Sequence, residues 1–184
     1  MTRAALFQHF IALAACTAVY AISFEAIFLV SEHLQAHLAP QLVYGSVLFF
    51  PHGVRVIAAY LFGPSSILYL LPISCAYADF GVGIGGAVTG LTLAVGSLAA
   101  CVLAFEGLSR GRLIERDYLS RAIDWQSLVL AGCFGAFINA ALHYTLSVTD
   151  QAGSAAIFIG DLLGLCVVLA VALLLFRSYR LYRR

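Results

Sequence analysis

Six apolar runs follow one another along the chain, at about 4 to 30, 42 to 62, 65 to 80, 84 to 105, 127 to 148 and 154 to 176, separated by short polar connections. A bilayer core takes about 20 helical residues to cross. Within it every backbone N–H and C=O must be paired inside the chain, so such runs fold as helices. The expected fold is all-α, a polytopic transmembrane bundle of about six spans forming a single integral membrane domain over residues 1–184. With 62% apolar and 10% charged residues, no connection is long or polar enough to form a soluble domain. The third run is short, is bracketed by Gly63-Pro64 and Asp79-Phe80-Gly81, and contains Pro72, so it reads as kinked or partly re-entrant.

All ten basic residues are arginines, and nine of them occupy one alternate set of ends. Arg3 precedes the first run, Arg110, Arg112, Arg116 and Arg121 lie between the fourth and fifth, and Arg177, Arg180, Arg183 and Arg184 follow the sixth. Basic connections stay cytoplasmic, so both termini are expected inside. Leu13-Ala14-Ala15-Cys16 has the look of a lipoprotein cleavage box, but the apolar run continues to Val30, which is too long for a signal core; an uncleaved span is expected. The stretch from Glu106 to Gln126 reads as a solvated inner connection with Trp125 at the interface, or as a docking surface for a partner. The tail around Tyr179 and Tyr182 reads as an anchor to anionic lipid. A net charge of +1 gives no reason to expect nucleic acid as a partner.

The five cysteines, at 16, 75, 101, 133 and 166, show no Cys-x-x-Cys spacing and read as small core residues, with no metal expected. Gly81-Val82-Gly83-Ile84-Gly85-Gly86 fits Gly-x-Gly-x-x-Gly, yet it has none of the strand and helix context of a dinucleotide site, and no cofactor is expected. Gly86-x-x-x-Gly90 and Gly160-x-x-x-Gly164 read as points of close helix approach.

Ionisable residues inside the runs carry the functional signal, because a charge at bilayer depth costs about 2.5 kcal/mol or more. Arg55 stands in the second run, three residues after His52 in Phe50-Pro51-His52-Gly53. Glu25, Asp79, Asn139, His143 and Asp161 fall at mid-depth or in the outer half of the other runs, Asn139 and His143 sharing one helix face. Pro51 removes a backbone donor and is expected to free carbonyls in the turn before it. Two readings follow. Either Arg55 pairs structurally with Asp161 or Glu25, or Arg55, His52, Asp161, Asn139, His143, Glu25 and Asp79 form an outward-facing polar site shaped by Pro51, Gly53, Gly160 and Gly164. No His-Glu-x-x-His pair or Gly-x-Ser-x-Gly elbow is present, so no catalytic residue is assigned and an enzyme is not expected.

Phe50-Pro51-His52-Gly53, with the run that ends Leu61-Phe62-Gly63, resembles the aromatic-Pro-Pro-x-Gly motif of the bacterial membrane-associated sensor domains. Phe158-Ile159-Gly160-Asp161-Leu162-Leu163-Gly164 resembles their later aromatic-x-Gly-Asp-x-x-Gly span. His52 stands where that family has a second proline, and Phe50 and Phe158 where it has tryptophans. The resemblance implies an integral membrane input module in a bacterial inner membrane. Size, six spans and the Gly63-Pro64 turn are also similar to the substrate-binding subunits of energy-coupling-factor importers. The expected function is binding of a small ligand and signalling in trans to a membrane or cytoplasmic partner, with small-solute transport and assembly of a membrane complex as the alternatives.

Overall fold

The computed structural model describes residues 3–31, 33, 37, 46, 48–81, 86–114 and 124–182. They form six α-helices: α1 (Arg3–Ala26, extended by a π-helical turn Ile27–Ser31), α2 (Phe50–Phe62), α3 (Ser65–Gly81), α4 (Gly86–Arg110), α5 (Trp125–Thr145) and α6 (Gln151–Tyr182). Among the described residues four segments are long and apolar enough to cross a membrane: Leu6–Val30, Val88–Arg110, Trp125–Thr145 and Gln151–Tyr182. Leucine, valine and phenylalanine side chains lie exposed along their outward faces, as lipid contact requires. The chain is a multi-pass helical membrane protein.

The second and third runs differ from the expected spans. The run at 42 to 62 is helical only from Phe50; Ser46, Leu48 and Phe49 are non-helical, and residues 42–45 lie outside the described residues. Pro51 therefore lies in the first turn of a helix instead of kinking one, and Leu48 and Phe49 just before that helix are not helical. A proline in the first turn loses nothing, since that turn's N–H groups have no helical acceptors. The donor of Phe49 goes instead to the Gly160 carbonyl of α6, 2.9 Å away. The run at 65 to 80 is one helix with Pro72 inside it. At about 1.5 Å per residue, α2 is ~20 Å long and α3 ~25 Å, each short of a full crossing. A turn at Gly63 joins them, with φ of 56°, a conformation that favours glycine.

Short as it is, α2 is the centre of the bundle. It packs against all five other helices, which surround it in the order α1, α3, α4, α5, α6. Among the described residues no comparable contact joins α6 to α1. Phe49 lies in that seam, its ring edge-on to Phe24 of α1 at 5.7 Å and its backbone on α6. Val54 and Ala58 of α2 pack with Tyr20, Leu70 and Leu98, whereas Val56 and Ala59 pack with Cys101, Phe105, Leu128, Ala131 and Leu165.

Apolar side chains gain little from leaving lipid for protein, so such a core depends on close fit and small residues. A Cβ on Gly53 would stand 2.6 Å from Val168 Cβ, and one on Gly164 would collide with the Phe49 carbonyl. The Gly160-x-x-x-Gly164 stretch is thus a close-approach surface, but what approaches it is the unwound backbone before α2, not a helix. Cys101 is buried as expected, whereas Cys166 is exposed on α6, where a thiol is apolar enough for lipid. The glycine stretch at 82–85 and most of the connection at 115–123 lie outside the described residues. Arg3, Arg110, Arg112, Arg177 and Arg180 fall at the end of the bundle where α5 begins.

Gly164→Ala should lower the thermal midpoint by the equivalent of about 1–3 kcal/mol. Gly107→Ala, with nothing within 4 Å of the added carbon, should leave it unchanged or raise it in the same unfolding assay. Asp124 caps α5 by accepting from the Gln126 and Ser127 N–H groups and the Ser127 hydroxyl, which hold its carboxyl below the ordinary value of 3.8. A depressed acid stabilises above its unfolded value and stops doing so as pH falls through the folded one. Asp124→Ala should therefore cost about 1 kcal/mol at neutral pH, and less as the pH drops below that range.

Candidate functional site

His52, Arg55, Asn139 and Asp161 are all buried, the first two on α2 and the others on α5 and α6. They sit together because α2 begins where the Phe49 backbone meets Gly160, which sets His52 opposite Asp161, one residue beyond that glycine. His52 is 0% exposed and each of its ring nitrogens faces a polar group. Nε2 lies 3.0 Å from the Gly132 carbonyl of α5, and since a carbonyl only accepts, that nitrogen carries the hydrogen. Nδ1 faces Asp161 Oδ2 at 3.6 Å, beyond hydrogen-bond distance. The same Oδ2 accepts from Asn139 Nδ2 at 2.8 Å.

Arg55 is 6% exposed and makes no ion pair with Asp161 or Glu25, the partners of the structural reading. Its Nε donates to the Tyr20 hydroxyl of α1 at 2.7 Å. Its Cζ lies 5.6 Å from the centre of the Tyr20 ring and 5.2 Å from that of Phe49. The charge is thus met by two ring quadrupoles and a phenolic oxygen. Asp161 acts on it through space while making its own close contact with His52. Of the six buried side-chain atoms without a hydrogen-bond partner among the described residues, four belong to this cluster, His52 Nδ1, Arg55 Nη1, Asn139 Oδ1 and Asp161 Oδ1; the others are the hydroxyls of Ser74 and Thr149.

The other expected site residues are placed apart from this cluster. Glu25 is exposed and accepts from the Tyr77 hydroxyl at 2.8 Å. Tyr77 in turn stacks on Phe24 at 4.2 Å. His143 is half-buried, one turn along α5 from Asn139 and without a hydrogen bond to the cluster. Asp79 lies in the last part of α3, and its side chain is outside the described residues. Gly53, Gly160 and Gly164 shape the site through the α2–α6 contact, and Pro51 through the start of α2.

Sequence reasoning passed over Tyr20, Phe49, the Gly132 carbonyl and Tyr60. An aromatic residue inside an apolar run carries no sign of what it faces, and a backbone carbonyl carries none at all. Only the order of Phe49 just before Phe50-Pro51 hints at a role, since the residue preceding a helix start is exposed backbone. Among the described residues no group of three His, Cys, Asp or Glu side chains has metal-binding geometry. Comparison of the chain with known protein families, curated proteins and solved structures found no match.

The pairing makes a discriminating prediction. Tyr20→Phe leaves the Arg55 Nε without its acceptor and should destabilise the bundle by about 1–3 kcal/mol. Glu25→Gln, at an exposed site, should stay within about 0.5 kcal/mol in the same detergent unfolding titration.

Proposed function

We propose that the chain is a sensor-like integral membrane protein of a bacterial inner membrane, with its arginine-rich end and both termini cytoplasmic. It binds a small polar ligand among Arg55, His52, Asp161 and Asn139 and passes its state to a partner protein. One observation carries this reading: four buried side chains from three helices each keep an unpartnered polar atom. Each such atom costs about 1–3 kcal/mol, and a cluster that served only to hold helices together would use its donors and acceptors on itself. Arg55 offers a donor while Asp161 and Asn139 offer acceptors, which suits a small solute bearing both kinds of group. Supporting the sensor class, the two motifs that resemble the sensor domains pack directly on one another, the Phe50 backbone against Gly164 and His52 toward Asp161.

Transmission runs along α2. Two turns beyond His52, the Tyr60 hydroxyl accepts from the Asp124 N–H at 3.2 Å. That residue caps α5 and ends the arginine-rich connection. Ligand that shifts α2 therefore pulls on the connection as well as on the site, and the response is a population shift between two packings of α2. The unwound backbone before α2 favours a second reading as a small-solute carrier or importer subunit, since interrupted helices line the binding sites of carriers. Uptake of a labelled solute into vesicles separates the two, because a sensor moves nothing.

A thermal-stability screen in micelles with small carboxylates, phosphates and polar neutral solutes tests the site. One class should raise the midpoint of the parent and leave Arg55→Ala unmoved; equal rises in both would sink the assignment. Tyr60→Phe should keep the ligand-dependent rise but weaken the accompanying change in fluorescence of Trp125, the single tryptophan.

A further inference from the structure

The contact between His52 and Asp161 contains an electrostatic contradiction. With its hydrogen on Nε2, a neutral imidazole turns a bare lone pair at Nδ1 toward Asp161 Oδ2, another acceptor, 3.6 Å away. Both groups are buried, at 0% and 1% exposure, so bulk water does not separate them. A water placed in line between them would need about 5.5 Å, two hydrogen bonds of roughly 2.8 Å each. A proton needs no added space: taken up on Nδ1, it turns the opposed lone pairs into a charge-assisted hydrogen bond that closes as the two atoms draw in by under about 1 Å. We infer that the His52–Asp161 pair is a proton-binding locus, at which uptake on Nδ1 ties α2 to α6 while Nε2 keeps it tied to α5.

The surrounding groups fit a locus that both gains and loses its proton. Burial itself opposes the imidazolium; Asp161 on α6, facing the ring, favours it, and Arg55, one turn along α2, opposes it. Tyr20 on α1, Cys101 on α4 and His143 on α5 are the titratable groups that act on Arg55 and Asp161 around the pair. No described charged group of α3 acts on the imidazole. One charge for the proton and one against leave its occupancy responsive to anything that alters Arg55. An anionic group on Arg55 Nη1 weakens the opposition, so such a ligand and the proton bind cooperatively. The inference rests on the reading of this cluster as a ligand site and names the proton as one of its occupants.

The test uses the full chain in lipid nanodiscs with His9, His33, His37 and His143 replaced by Gln, leaving His52 as the only imidazole. Its ring nitrogens, labelled with nitrogen-15, are followed by magnetic resonance between about pH 9 and pH 5, the span across which histidine charge is set. The expected result is one step from the Nε2–H tautomer to the imidazolium, and at least about a tenfold loss of proton affinity in Asp161→Asn. An imidazole neutral throughout, one charged throughout, or a step that Asp161→Asn leaves in place overturns the inference. Should the four-fold variant fail to fold, proton uptake by the unaltered chain gives the same answer: His52→Gln must remove the step and His143→Gln must keep it. A solute whose stabilising effect needs Arg55, found beside a His52 that never titrates, would retire the proton and leave the ligand site standing. A titrating His52 with no stabilising solute would do the reverse.

Discussion

A guanidinium enclosed by helices has to be held by groups that do not cancel it, and the arrangement around Arg55 depends on that condition. Its charge is spread over the Tyr20 and Phe49 rings and one phenolic oxygen, while the nearest carboxylate stays out of contact. Both rings must be brought to it. Tyr20 comes with α1, which otherwise buries little of itself, and Phe49 comes with an unwound stretch of backbone that needs somewhere to lie. Gly160 and Gly164 provide that surface, one through its carbonyl and the other through its missing side chain. The same placement of Phe49 fixes where α2 starts, and hence which residue of α6 faces His52. Arginine, aromatic ring, unwound segment and glycine pair form one linked device.

The bundle is organised around its shortest helix for a related reason. A helix that began at the bilayer surface would carry its first unpaired N–H groups in the headgroup region. Starting α2 inside the bundle puts them in the interior, where a proline at the second position removes one and the α6 contact accepts from the residue before. The positive end of the helix dipole then lies inside the protein, beside the Asp161 carboxylate and the open acceptor of Asn139. A full-length helix would place neither the dipole end nor the exposed backbone there.

The all-helical, multi-pass architecture was readable from the residues alone, because apolar run length is a direct consequence of bilayer thickness. The ends of α4, α5 and α6 lie two to six residues from the expected ones, and Asp161, Asn139, His52 and Arg55 were identifiable simply as polar groups where polarity is costly. What could not be read is who meets whom. Phe50-Pro51 announces a break, but whether proline kinks a helix or starts one depends on where the donor of Phe49 goes, and its acceptor is more than a hundred residues away. The reading in which Arg55 pairs with a carboxylate was drawn because formal charge is visible in a sequence and ring quadrupoles are not. His143 shares a face with Asn139, as spacing requires, yet it lies one turn beyond the side chain that Asp161 engages.

The last helix has a property that bears on how far a change at the site can reach. From Asp161 to Tyr182 it runs without proline and, after Gly164, without glycine, so it behaves as a stiff rod. At ~1.5 Å per residue those positions are about 30 Å apart. A tilt of only ~5° about the level of Asp161 would therefore sweep the Tyr182 end through about 3 Å, on the order of the helix shifts seen in switching proteins. Leverage of this kind needs no hinge, only a fulcrum, and the glycine-lined contact with α2 is where the rod is pinned.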